Sequence, residues 1–199
     1  MTSFLNPAQQ SFVEDLLSRM TLAEKVGQMT QIEKNSVKPG DLARLGIGSV
    51  LSGGGGNPEP NTPQTWRAMV SAFIDESLQS RLGIPLIYGS DAVHGHNNVQ
   101  GATIFPHNIG LGAARDRDLI RKIGEVTALE TAAAGLDWTF APTLAVVQDD
   151  RWGRTYESYG EEPEIAADYA GAMIEGVQGK VGTKTFLAPD HLIATTKHF

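Results

Sequence analysis

The chain has 199 residues, 41% of them hydrophobic and 20% charged, enough for one domain with a sizeable core and too ordinary in make-up for a disordered segment. Its 16 Lys and Arg are scattered against 23 Asp and Glu, giving a net charge of −7, which argues against nucleic acid as a partner. With no cysteine, disulfides and thiolate metal sites are excluded.

The first residues, Met1 to Gln10, show neither a basic nor an apolar leader region, so no secretory signal is expected in this stretch. That fits a cytoplasmic protein or a mature secreted or periplasmic form, and leaves the compartment unknown. No apolar run approaches the ~20 residues of a membrane-spanning helix, so no membrane partner is expected.

Phe12, Val13, Leu16, Leu17 and Met20 recur at helical spacing, and Thr21 with Glu24 forms a capping box for a second short helix through Leu22, Val26 and Met29. Ile47 to Leu51 is a short apolar run closed by Ser52 and Gly53 to Gly56. Thr62 and Pro63 then start a helix with the stripe Trp66, Met69, Val70, Phe73, Ile74 and Leu78. Gly53 and Gly55 do not make a dinucleotide fingerprint, because Pro58 stands at the third glycine position and no helix begins before Thr62.

A strand over Ile84 to Tyr88 follows, then a long loop from Ser90 to about Asp116, and a helix through Leu119, Ile120, Ile123 and Val126 closed by Gly135. The next unit is a strand over 138–141, a long loop to Gly160, and a helix carrying Ile165, Tyr169, Met173 and Val177. Glu161, Glu162 and Glu164 stand at that helix's N-terminus, where negative charge is favoured. Leu192 to Thr196 reads as a fourth strand.

Strict alternation of strands and helices predicts an α/β fold with a parallel sheet, the N-terminal portion of a (β/α)8 TIM-type barrel preceded by short helices. The whole of 1–199 is expected to be the N-terminal half of that domain. Two of the loops far exceed the usual ~2–6 residues, and both follow strands, which places them on the strands' carboxyl edge, where such folds do their chemistry.

Four side chains collect there: Asp91, just beyond the second strand; Arg154, in the loop after the third; and Lys197 and His198, at the end of the fourth. A fixed carboxylate accepting two hydroxyls, with cations donating to others, is how a sugar is gripped. Taken singly, each has a simpler reading: Asp91 caps its loop, Arg154 pairs with Asp149 or Asp150, and His198 is a core histidine. His107, beside Pro106, reads as a structural hydrogen-bonding residue.

Together the motifs say more. Gly89-Ser90-Asp91-Ala92-Val93-His94-Gly95, Thr103-Ile104-Phe105-Pro106-His107-Asn108, Arg151-Trp152-Gly153-Arg154 with Tyr156-Glu157-Ser158-Tyr159-Gly160-Glu161, and Lys197-His198-Phe199 occur in order. This series closely resembles glycoside hydrolase family 3, above all its β-glucosidases and exo-acting β-glucan glucohydrolases.

The resemblance implies a retaining exo-β-glucosidase acting on β-glucosides or β-glucan oligosaccharides, with Asp91, Arg154, Lys197 and His198 in the glucose subsite and no cofactor. It also implies that the aspartate nucleophile and glutamate acid/base, which stand about 5–5.5 Å apart in retaining enzymes, come from a later barrel strand and a following α/β domain. On that reading the isolated chain is inactive, and its partner is the rest of the same polypeptide.

Two alternatives stand beside it. His94-Gly95-His96 with Lys197 resembles metal-dependent hydrolases of the amidohydrolase type, although the His-x-His pair there should close the first strand. A non-catalytic carbohydrate-binding or structural remnant is the other.

Overall fold

A computed structural model describes residues 5–198; Phe199, the end of the Lys-His-Phe motif, lies outside them. The sheet is fully parallel and runs in chain order: β1 Gln31–Glu33, β2 Ser49–Ser52, β3 Ile87–Ser90, β4 Trp138–Thr139 and β5 Ile193–Ala194. The helices are α1 Pro7–Arg19, α2 Leu22–Gln28, α3 Asp41–Leu45, α4 Pro63–Ser77, α5 Asn108–Ala114, α6 Arg117–Ala133 and α7 Pro163–Gln178. Sequential parallel strands joined by helical crossovers form the expected N-terminal portion of a (β/α)8 barrel.

Several elements depart from the sequence reading, among them α3, whose span of Asp41–Leu45 is too short to show a helical stripe. Strand β1 holds a single apolar residue, Ile32, between Gln31 and Glu33, too short a run to show a period of two. Helix α5 lies inside the expected loop; its Gly110 and Gly112 weaken helical propensity, and packing decides instead. The strand expected over 84–88 starts at Ile87, since Pro85 offers no ladder donor.

The caps fall where the sequence puts them. Thr62 and Thr65 form a capping box over Pro63 on α4, and Thr21 and Glu24 do so on α2. Glu162 stands at the N-cap position of α7 and Glu164 lies in its first turn.

The core has two parts. One gathers Leu42, Val50, Trp66, Val70, Leu86 and Tyr88 beneath α4. The other packs α6 against α7 through Ile120, Ile123, Tyr169, Met173 and Val177, with Leu111 of α5, Tyr159 and Leu192. At the α6–α7 crossing, a Cβ on Gly124 would stand 3.1 Å from the Gly176 Cα, and one on Gly176 would strike the Arg121 carbonyl, so the helices meet backbone to backbone. By contrast α1 buries none of its residues, and Phe12, Leu22 and Met29 are exposed.

Candidate active site

Because every strand runs the same way, the loops after β3, β4 and β5 open on one edge. Asp91 follows Ser90, the last residue of β3. Its loop is folded back by Asn98, whose amide donates to the Ser90 hydroxyl and the Asp91 carbonyl, both at 3.0 Å. Gly95 takes φ +82° and lies against the Thr103 carbonyl, and the Phe105 amide donates to the His94 carbonyl at 3.0 Å. That turn requires glycine.

Lys197 lies beyond β5 but is still held as a strand, bridged in parallel to Thr143; its amide donates to the Pro142 carbonyl at 3.0 Å. Its ammonium forms an ion pair with Asp91 and stands 6.0 Å from the centre of the Phe140 ring. Residues 106 positions apart are thereby joined.

Arg154 caps a short 3-10 turn, Thr155–Glu157. Its guanidinium forks onto the Glu157 carboxylate with two bonds of 2.6 Å, and one of its nitrogens lies 3.2 Å from His198 Nε2. The bonds from Arg154 hold the Glu157 carboxyl below its ordinary range, so it is ionised throughout neutral and mildly acidic pH. Desolvation, followed by the Arg154 and Lys197 cations, lowers His198 and favours its neutral form.

Around these pairs lies a cavity of about 250 Å³ lined by Asp91, His94, His107, Arg154, Glu157 and Lys197, with Val93, Asn108, Thr143 and Tyr156 completing its wall. At ~30 Å³ per water, that is room for a molecule the size of one sugar ring. Two cations face two carboxylates, so the site is nearly neutral in sum yet dense in donors and acceptors. Such a lining suits a neutral polyhydroxy ligand better than a phosphate, which would need unpaired positive charge.

Of the four residues expected here, Asp91, Arg154 and Lys197 share the cavity wall, and His198 stands against Arg154. Arg154 pairs with Glu157 rather than with Asp149 or Asp150; Arg151 takes Asp149 instead, its Nε donating at 2.9 Å. The reason is loop path: the 3-10 turn brings Glu157 back under Arg154 three residues on.

His107 acts through its ring rather than through a side-chain hydrogen bond. Its ring stacks on His94, with centroids 4.4 Å apart, and meets Tyr156 edge-on at 4.7 Å, forming one wall of the cavity. Glu157, His94, His107 and Asn108 all fall within the ordered motifs, but the sequence alone gives Glu157, His107 and Asn108 no place in the site and His94 only the metal-pair alternative. Their density inside those motifs was the available signal.

His94 and His96 do not converge as a metal-binding pair would. Burial and then His107 lower the pKa of His94, which lines the cavity. His96 is fully buried, edge-on to Trp66 at 5.6 Å.

A parallel α/β sheet with a compact, charge-balanced cavity at the carboxyl edge of its strands defines a barrel-class α/β protein with a polar site at that edge. Residues 21–199 match the glycosyl hydrolase family 3 N terminal domain, and the chain belongs to that family.

It is 33% identical to a lysosomal beta glucosidase of Dictyostelium discoideum over 96% of this chain and 26% of that protein, and 34% identical to a periplasmic beta-glucosidase of Salmonella typhimurium over 96% and 23%. An exo-1,3/1,4-beta-glucanase from a Pseudoalteromonas species superposes with a TM-score of 0.91 at 49% identity, over 98% of this chain and 25% of that one. A beta-glucosidase from Listeria innocua, solved in complex with glucose, superposes at 0.73 with 32% identity, over 96% and 26%. The chain thus spans about a quarter of the length of these relatives.

Proposed function

We propose that this chain forms the glucose-binding part of a retaining, exo-acting β-glucosidase that releases glucose from the non-reducing ends of β-glucosides or β-glucans. The observation that carries the reading is the convergence of Asp91, Arg154 and Lys197 on one cavity the size of a single ring. Asp91 accepts hydrogen bonds from two neighbouring ring hydroxyls. Arg154 and Lys197 donate to others, and His198 braces Arg154.

Family membership and the naming of relatives as β-glucosidases and an exo-glucanase support the substrate class. The glucose complex of the Listeria protein supports a monosaccharide subsite.

The chemistry of the site argues against a catalytic pair within residues 5–198. A general acid needs a carboxyl kept protonated near neutral pH, and Glu157 is shifted the opposite way. Asp91 is already engaged by Lys197. The nucleophile and the acid/base are therefore proposed to lie elsewhere in a longer polypeptide, the former on a later barrel strand and the latter in a second α/β domain.

The test is turnover of an aryl β-glucoside by the full-length protein, with the anomer of the released glucose followed by NMR. β-Glucose as first product supports double displacement, α-glucose contradicts retention, and release of no glucose overturns the reading. The 199 residues alone are expected to give no turnover.

A further inference from the structure

Asn108 opens α5, but its side chain does not serve that helix. The residue is 5% exposed, and its side-chain amide reaches across to the loop after β4 and donates twice: to the Thr143 hydroxyl at 2.6 Å and to the Glu157 backbone carbonyl at 2.9 Å. Thr143, 2% exposed, passes its own hydroxyl proton to the same Glu157 carbonyl at 3.0 Å. The directions are fixed by chemistry. A carbonyl only accepts, the Asn nitrogen only donates, and the one hydroxyl both accepts and donates. Turning the amide over would set its oxygen against the Glu157 carbonyl.

Both acceptors belong to the candidate site. Glu157 closes the 3-10 turn begun at Arg154, and its carboxylate holds the Arg154 fork. Thr143 is the residue bridged to Lys197, and the next amide, Leu144, donates to the Lys197 carbonyl at 2.5 Å. One buried amide therefore ties the segment carrying Arg154 to the segment carrying Lys197. A shift of either contact moves a cation relative to Asp91. In a dry position, an unmade bond of this kind is costly and the network acts as a unit.

We propose that Asn108, with Thr143 as its relay, is a positioning residue that sets the spacing of the Arg154–Glu157 pair and Lys197 around the sugar. The proposal rests on the glucosidase reading for its ligand, and on the hydrogen bonds alone for its geometry.

The test uses Asn108→Asp, which keeps the shape and places an oxygen where two protons were given, in the full-length protein. In an otherwise wild-type background, kcat/KM on an aryl β-glucoside is expected to fall roughly tenfold or more; in an Arg154→Ala background, where only the Lys197 arm still reports the strut, the same change is expected to cost a clearly smaller factor. Equal factors in the two backgrounds, or no effect in the first, would overturn the proposal.

Hydrogen exchange provides a readout free of substrate. The Glu157 and Ser158 amides, which close the turn onto Arg154 and Thr155 at 3.0 Å each, are expected to exchange faster in Asn108→Asp, and unchanged exchange contradicts the strut. Thr143→Val, which removes only the relay, is expected to show the same pattern at smaller size and covers the case in which Asn108→Asp does not fold. If the wild-type protein releases no glucose, the functional reading fails, and the exchange measurement still decides the role of Asn108.

Discussion

Between α6 and α7 the contact is made by apolar side chains and by Gly124 against Gly176. Across the strand edge it is made by the Asp91–Lys197 and Arg154–Glu157 pairs, with a buried Asn–Thr–carbonyl chain behind them. The helical layer gains from area removed from water and from close packing, neither of which is directional. The edge gains little net stability from half-exposed ion pairs. What those pairs supply is a fixed pattern of donors and acceptors. Damage to the first region should therefore appear as lost folding with the site chemically intact, and damage to the second as lost recognition in a folded protein.

The largest break is expected at Gly176. Its alanine variant would press a methyl group against the Arg121 carbonyl, and backbone cannot yield as a side-chain tip can. Overpacking of this kind costs about 3 kcal/mol, so the thermal midpoint of the full-length protein should drop by several degrees, while KM of the residual folded enzyme stays close to wild type.

His96 belongs to the scaffold side of the comparison although it sits in the site's loop. Burial lowers its imidazole to about 4, so the folded protein holds it neutral while an unfolded chain takes up a proton below about 6.5. Stability is then fully present above pH ~6.5 and declines as pH falls toward ~4, by up to about 3 kcal/mol. Thermal midpoints measured across that window should slope for wild type and flatten for His96→Leu. An unchanged slope would mean that other groups set the acid limit.

Within the edge, Asp91→Ala is expected to lower kcat/KM by at least roughly 10- to 200-fold, the equivalent of one of its two charge-assisted hydrogen bonds at ~1.5–3 kcal/mol, with the melting profile held. Arg154→Lys keeps the charge and loses the planar fork onto Glu157. Its cost is expected to be smaller, about tenfold, and near-wild-type turnover would show that the fork serves only the loop.

The two regions also differ in how far the sequence alone reveals them. The helices α4, α6 and α7 are legible because their apolar stripes and caps are local: Thr62 with Pro63, Asp116 ahead of Ile120 and Ile123, Glu162 ahead of Ile165. Strand β1 and helix α5 escape because a single Ile32 has no period and two glycines dilute a helix signal.

At the site, Asp91, Lys197 and Arg154 are legible from strand ends and from ordered motifs. The partner of Arg154 is not, since a choice among Asp149, Asp150 and Glu157 depends on how the loop turns. Asn108 and Thr143 are invisible for the same reason. Their roles exist only once residues 35 and 49 positions away come within bonding distance.

The most direct measurement is a crystal structure of the full-length protein with glucose bound. The account predicts one pyranose in the cavity, with two adjacent hydroxyls within about 2.5–3.0 Å of the Asp91 carboxylate and others within ~2.7–3.2 Å of Arg154 and Lys197. Glucose bound elsewhere, with the Asp91–Lys197 pair closed over an empty cavity, would contradict it.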